Sequence, residues 1–254
     1  MSRKDGLIQI KSQREIVRMR KACQIAHGAR ALAGSMVEPG ITTGAIDREV
    51  RRFIEAQGAT PAFLGYNGFP NSVCISINEA VIHGIPDSRE IVSGDIVSID
   101  VGTVFDGFYG DTAATFAAGT VSAEAQRLIE VTRQSFYGAL DYCRAGYRIS
   151  DISHAIQRHV EEHGFSVVRD FVGHGIGKAL HESPEVPNFG EPGRGARLQA
   201  GMTLAIEPMV NAGGYAVTIL DDGWTVVTAD GSPSAHYENT VLITEGEPEI
   251  LTGI

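Results

Sequence analysis

An internal repeat constrains this chain more than any other feature. Residues 40–58 read GITTGAIDREVRRFIEAQG, and residues 146–164 read GYRISDISHAIQRHVEEHG. A shift of 106 superposes Gly40 on Gly146, Ile46 on Ile152, Val50 on Ile156, Ile54 on Val160, Glu55 on Glu161 and Gly58 on Gly164. Apolar residues recur at three- and four-residue intervals in both copies, so each predicts an amphipathic helix closed by a C-terminal glycine. A second match, Gly94-Asp-Ile-Val-Ser-Ile-Asp100 on Gly201-Met-Thr-Leu-Ala-Ile-Glu207, needs a shift of 107. Both segments read as β-strands ending in a carboxylate. Chance similarity of amphipathic elements explains one match; two at nearly one offset point to one plan used twice. Another long helical pattern precedes each helix copy, near residues 12–36 and 122–145, and Ser12-Gln-Arg-Glu15 has capping-box spacing. The expected fold is α/β (α+β), a single domain over 1–254 with pseudo-symmetric halves at about 12–120 and 121–254. Each half gives helices to one face of a shared antiparallel sheet, and carboxylates at equivalent strand ends converge near the symmetry axis.

The chemistry-bearing residues sit where this plan predicts convergence. Asp100 ends the apolar run Ile96-Val-Ser-Ile, Asp111 lies in Tyr109-Gly-Asp-Thr, and Asp106-Gly107 between them is a strong two-residue hairpin signal. If those residues turn, Phe105 pairs with Phe108, Gly102 with Asp111 and Asp100 with Ala113. The two aspartates are then diagonal neighbours on one face, roughly 7–8 Å apart at the backbone, which suits a pair of ions about 3.5–4 Å apart. A solvent-exposed hairpin face would explain the pair without chemistry, but the apolar flanks argue against it. His174 sits in Gly173-His-Gly-Ile-Gly177, where glycines permit close backbone approach and unusual dihedrals. The run resembles a phosphate loop only superficially, since the rest of that fingerprint is missing. His181 follows in Leu180-His-Glu, Glu207 precedes the strand-ending Pro208, and Glu238 lies in His236-Tyr-Glu-Asn before an apolar run. A lone glutamate in such a place is usually a surface residue. The ordered set Asp, Asp, His, Glu, Glu on a repeated scaffold is far more specific, and its hard oxygens with one imidazole suit Mn, Fe, Co or Zn in a dinuclear site.

The segments Asn78-Glu-Ala-Val-Ile-His-Gly-Ile-Pro86, Gly94-Asp-Ile-Val-Ser-Ile-Asp-Val-Gly102, Gly110-Asp-Thr112, Gly173-His-Gly-Ile-Gly177 and Ile206-Glu-Pro-Met209 resemble those of the methionine aminopeptidases, from about Ser12 to the C-terminus. The resemblance implies the pita-bread fold. Only 31 residues lead from Glu207 to Glu238, which leaves no room for the type II insertion and implies type I. It also implies removal of the initiator methionine from nascent proteins and peptides with a small second residue. Two divalent ions would be held by Asp100 on one, by His174 and Glu207 on the other, and by Asp111 and Glu238 bridging both. Glu207 would be the general base, His181 would contact the scissile carbonyl or its oxyanion, and His83 the departing amide nitrogen. Phe63, Tyr66, Phe69, Cys74, Leu180 and Trp224 would form the methionine pocket, although each residue type is equally at home in an ordinary core. Phe63, Phe69 and Leu180 stand where well-known bacterial relatives often carry cysteine, tyrosine and phenylalanine, which keeps the pocket apolar but changes its shape. A structural monovalent cation near Asn78 and Ser234 is a further implication. The chain's own Ser2 is a small residue of the kind accepted after methionine.

Composition adds exclusions. No apolar run is long enough to span a membrane. The charged segment Met1-Ser-Arg-Lys-Asp-Gly6 has no signal-peptide core, so cytoplasmic residence is expected. Cys23, Cys74 and Cys143 are odd in number and far apart, which fits a reducing compartment rather than a disulfide framework. A formal charge of −10 argues against specific nucleic-acid binding, and no basic tail marks a ribosome contact beyond a transient one. A monomer is the default. His27 falls on the first helix; His154, His159 and His163 fall on the second-half helix and read as solvated, while His236 adjoins Glu238 without an assigned role. Two rival functions remain in view: an X-prolyl aminopeptidase or prolidase on the same fold, and a non-catalytic binding protein, which would be expected to have lost ligands that this chain retains.

Overall fold

The first three α-helices begin where a preceding hydroxyl accepts an unpaired N–H of the first turn. The computed structural model describes residues 6–253, so Ser2 lies outside the described residues. Helix α1 (Gln13–Ser35) is opened by a full capping box: the Ser12 hydroxyl accepts from Glu15 N, and the Glu15 carboxylate accepts from Ser12 N at 2.9 Å. Thr42 caps α2 (Thr43–Ala56), and strands β1 (Thr60–Pro61), β2 (Cys74–Ile77), β3 (Ala80–Ile82), β4 (Ile96–Phe105) and β5 (Phe108–Ala117) complete the first half. Ser122 caps α3 (Ala123–Ala139), and Asp151 accepts from Arg148 N at the start of α4 (Ile149–Glu162). The second half continues with β6 (Ser166–Val167), β7 (Gly173–Gly175), β8 (Glu182–Val186), β9 (Thr203–Ile206), β10 (Met209–Asn211), β11 (Val217–Ile219), β12 (Val226–Thr228), β13 (Ser234–His236), β14 (Glu238–Leu242) and β15 (Glu249–Ile250). Gly58 and Gly164, just past α2 and α4, take left-handed φ of +73° and +79°, as the repeat predicts.

The strands form a nine-stranded sheet in the order β1-β4-β5-β14-β9-β7-β8, with β2 also on β4 and β15 on β14; its pairings are antiparallel. Hairpin β4–β5 from one half meets the pair β14–β9 from the other, so the pseudo-symmetry axis passes between β5 and β14. This is the pita-bread architecture of two pseudo-symmetric halves around a central antiparallel sheet. Two three-stranded sheets, β13-β10-β6 and β11-β12-β3, were not foreseen, because strands this short carry too little alternation to be read.

Helix α1 lies directly on the sheet because its inner face is small: Ala22, Cys23, Ala26, Ala29 and Ala33 are fully buried. The approach is so close at Gly110 that a Cβ there would sit 2.6 Å from Cys23 N. Adjacent residues point to opposite faces, so Asp111 looks away from α1. Ile46, Val50 and Ile54 of α2 join one apolar cluster, and their counterparts Ile152, Ile156 and Val160 of α4 join another.

Three expectations need correction. Asp100 does not end a strand: the β4–β5 hairpin pairs without interruption from Ile96↔Ala117 to Phe105↔Phe108, which carries β4 five residues further. In the second half β9 does stop before its carboxylate, at Ile206, because Pro208 follows within two residues and has no N–H to donate. The helix expected near 122–145 ends at Ala139 and a single turn at Leu140–Tyr142, where Ala145 N donates to Thr244 O and draws the chain toward the end of β14. The histidines on α4 and at its C-cap are half-buried rather than solvated. His154 Nδ1 lies 3.2 Å from Gly190 O, His163 Nδ1 lies 2.7 Å from His159 O, and the His159 and His163 rings stack at 4.5 Å. No helix among the described residues is long and apolar enough to cross a membrane.

Candidate metal centre

The strand register assembles the polar cluster. One cross-strand row runs Cys74, Asp100, Ala113, Glu238 over β2, β4, β5 and β14. Ile206 pairs with Asn239, so Glu207, the next residue after β9, continues that row opposite Glu238. The adjacent row on the same face runs Gly102, Asp111, Thr240, Ala205, His174. Asp111 and Thr240 are joined in it by backbone-to-hydroxyl hydrogen bonds of 3.1 and 2.9 Å. All five proposed ligands therefore lie in two neighbouring rows, with Gly102, Ala113 and Ala205 leaving space between them. The hairpin register deduced from Asp106-Gly107 is the one observed.

Ligand atoms of Asp111, His174 and Glu238 lie within 4.8 Å of one another. His174 Nε2 is 3.6 Å from Glu207 Oε1 and 4.0 Å from Asp111 Oδ2. Its Nδ1 donates to Gly175 O at 2.9 Å, which leaves the Nε2 lone pair facing the carboxylates. The flanking glycines serve close approach: a Cβ at Gly173 would sit 2.4 Å from Ala205 O, and one at Gly175 2.3 Å from Ser183 O. Neither takes an unusual dihedral, so that half of the expectation fails.

The electrostatics are those of a cation cage. Burial, then the charge of neighbouring carboxylates, raises Asp100, Glu207 and Glu238 well above the usual carboxylate range. Burial raises Asp111 to about 7, against the hydrogen bond from Thr112 N that favours its charged form. Burial lowers His174 to about 3, so its imidazole is neutral and available as a ligand. Asp100 Oδ1 and Glu238 Oε1 are buried without a hydrogen-bond partner among the described residues. Buried carboxylates that resist ionising together and keep orphaned oxygens fit divalent cations, which would hold them charged.

The cluster forms the floor of a cavity of about 190 Å³ whose walls include Phe63, Tyr66, Phe69, Cys74, Leu180, His83, His181 and Trp224. Phe63 packs over Gly102, and the Phe69 and Trp224 rings meet edge to face at 5.1 Å. Burial pushes the Cys74 thiol far up, so it is an apolar wall element opposite Asp100 rather than a thiolate. His83 sits edge-on to Phe171 and Trp224, has a left-handed φ of +60°, and is lowered to about 4 by burial. Such a backbone at a non-glycine residue is strained and is characteristic of functional sites. His181 stands at the mouth with its Nδ1 2.8 Å from the Tyr66 hydroxyl and its ring 4.3 Å from that of His174; burial lowers its pKa.

Sequence reasoning missed Arg30, Glu182 and Asn67 and gave His236 no role. Arg30 reaches from α1 behind the sheet, donates to Thr112 Oγ1, Glu238 O and Asn239 Oδ1, and so ties β5 to β14. His236 is buried with Nε2 3.8 Å from Glu207 Oε2. Glu182 accepts from Lys178 N, Ala179 N and the buried Lys11 ammonium, fixing the loop that carries His181. Asn67 joins the cavity wall. Asn78 and Ser234 are brought together, Ser234 N donating to Asn78 O at 2.8 Å.

A sequence profile described as metallopeptidase family M24 matches residues 17–245. The chain is 57% identical to "Methionine aminopeptidase" of Clostridium perfringens over 97% of its own length and 99% of the relative's. The crystal structure of methionine aminopeptidase from Thermotoga maritima superposes with a TM-score of 0.96 at 44% identity, covering 98% of this chain and all of that one. Prolidase from Pyrococcus furiosus shares the fold alone, with a TM-score of 0.79 at 24% identity, and 65% of its chain is covered.

Proposed function

The chain belongs to metallopeptidase family M24, and from that membership we propose that it is a type I methionine aminopeptidase acting on nascent proteins and peptides with a small second residue. The observation that carries the reading is the convergence of four carboxylates and one imidazole, on two adjacent strand rows, at the floor of an apolar cavity. Asp100, Asp111, His174, Glu207 and Glu238 would hold two divalent ions of Mn, Fe, Co or Zn. When bound, such ions lower the pKa of water and polarise a carbonyl oxygen.

The chain's own groups do the rest. The Glu207 carboxylate takes the proton of the attacking water and delivers it to the leaving amide nitrogen. His181 donates to the carbonyl oxygen as charge builds on it, and His83, kept neutral by burial, faces the departing nitrogen. The free α-amino group of the substrate sits against the acidic floor, which excludes blocked N-termini. The methionine side chain lies among Phe63, Tyr66, Phe69, Cys74, Leu180 and Trp224, where a flexible thioether meets aromatic edges. The buried free thiols Cys23, Cys74 and Cys143 support residence in a reducing compartment such as the cytoplasm. A monomeric state, transient ribosome contact and a monovalent cation at Asn78 and Ser234 belong to the same reading.

A substrate panel tests it. Free Met-Ala peptides are expected to be cleaved, and their N-acetylated forms and X-Pro dipeptides left intact. Turnover of X-Pro without Met-Ala would move the chain to the prolidase side of the fold.

A further inference from the structure

A histidine that stabilises a developing oxyanion must present an N–H to it, and a neutral imidazole carries only one. In a neutral imidazole the partner of one ring nitrogen decides what the other can do. That partner is Tyr66, whose hydroxyl lies 2.8 Å from His181 Nδ1 with the rings tilted at 5.5 Å. If the hydroxyl donates, Nε2 holds the proton and is a donor. If Nδ1 donates to the hydroxyl, Nε2 presents a lone pair to the oxygen it should stabilise. The Tyr66 hydroxyl has no other hydrogen-bond partner among the described residues.

Both groups are held in place independently. Tyr66 sits in a tight turn closed by Gly65 N to Phe69 O at 2.8 Å and Phe69 N to Tyr66 O at 2.9 Å, with Gly65 and Asn67 both at positive φ. His181 ends a loop whose Lys178 and Ala179 N–H groups are bound by Glu182. The bond therefore joins two fixed loops, one from each pseudo-symmetric half, across the cavity mouth.

We propose that Tyr66 is a positioning residue as well as a wall of the pocket: its hydroxyl donates to His181 Nδ1 and thereby selects the Nε2–H tautomer that binds the transition-state oxygen. The proposal rests on the aminopeptidase reading for its kinetic consequence but not for its structural one.

Two measurements separate these. The first is the ¹⁵N NMR signature of the His181 ring in metal-free protein, in the wild type and in Tyr66→Phe. The expected result is an Nε2–H tautomer in the wild type and loss of that preference in the variant. An Nδ1–H wild type, or an unchanged tautomer in the variant, overturns the proposal whether or not the protein cleaves methionine. The second is the kinetics of Tyr66→Phe on Met-Ala peptides with metal restored. The expectation is a kcat about tenfold lower with KM within about twofold, milder than the ~10²–10³ for deleting an oxyanion donor outright. A raised KM at unchanged kcat makes Tyr66 a wall only and overturns the proposal. A wild type that releases no methionine defeats the functional reading instead, and the tautomer measurement still decides the role of Tyr66. That wild-type spectrum also keeps the test decisive if the variant does not fold.

Discussion

The five proposed ligands were legible as residues because their spacing carries geometry. Asp106-Gly107 marks a turn, a turn sets a register, and a register of period two puts Asp100 and Asp111 on one face. Glu207 became legible once the repeat set it on Asp100, whereas His174 and Glu238 were read from their local runs and from the family resemblance. Arg30 and Glu182 were not legible, because each acts on a partner far along the chain and no local pattern marks it; His236 stood out beside Glu238, but its contact with Glu207 did not. Glu182 illustrates the cost of such support. Its carboxylate and Lys11 Nζ are 2.6 Å apart with side chains only 10% and 5% exposed. Removing one partner of a buried pair costs about 3–5 kcal/mol. Glu182→Ala is therefore expected to lower Tm and, by loosening the loop before His181, to reduce kcat/KM on Met-Ala peptides roughly tenfold. An unchanged kcat/KM would mean that the loop holds His181 without it.

At the scale of elements, the start of α1 was legible in Ser12 and the positions of α2 and α4 in the repeat, whereas the Thr42 and Ser122 caps, the length of α3 and the small sheets were not. Helix α3 stops early because the chain is recruited to a distant strand, which is a tertiary effect. The contact of α1 with the sheet depends on small residues on both sides. Gly110→Ala would push a methyl to 2.6 Å from Cys23 N, an atom of the helix backbone that cannot step aside. The expected cost is about 1–3 kcal/mol, read as a fall in Tm of roughly 2–10 °C. Gly138→Ala is the control: it lies in α3, is exposed, and a Cβ there meets nothing within 4 Å. It should stabilise by about 0.5–1 kcal/mol. Equal effects at the two sites would contradict the close-packed α1 interface.

For the whole molecule, the acidic floor couples stability to pH and to metal. Asp111 is raised to about 7 in the folded protein, and Asp100, Glu207 and Glu238 are also raised. A carboxylate whose folded pKa exceeds its unfolded value contributes stability at low pH and loses it as pH rises through the folded pKa. His83, His174 and His236 are lowered to about 4, 3 and 3, and they act in the opposite sense once pH falls below their unfolded value of roughly 6.5. Metal-free protein should therefore gain Tm as pH falls from about 8 to about 6.5, and saturating Mn should raise Tm and flatten that slope. A metal-free slope of the opposite sign would remove the carboxylate cluster from the account. The most direct test of the central claim is methionine release from Met-Gly-Met-Met by chelated and then metal-restored protein, beside the Glu207→Gln variant. The account predicts release only with metal present, reduced by ~10²–10⁴ in the variant. Release that survives chelation, or none with Mn, Fe, Co or Zn, would contradict it.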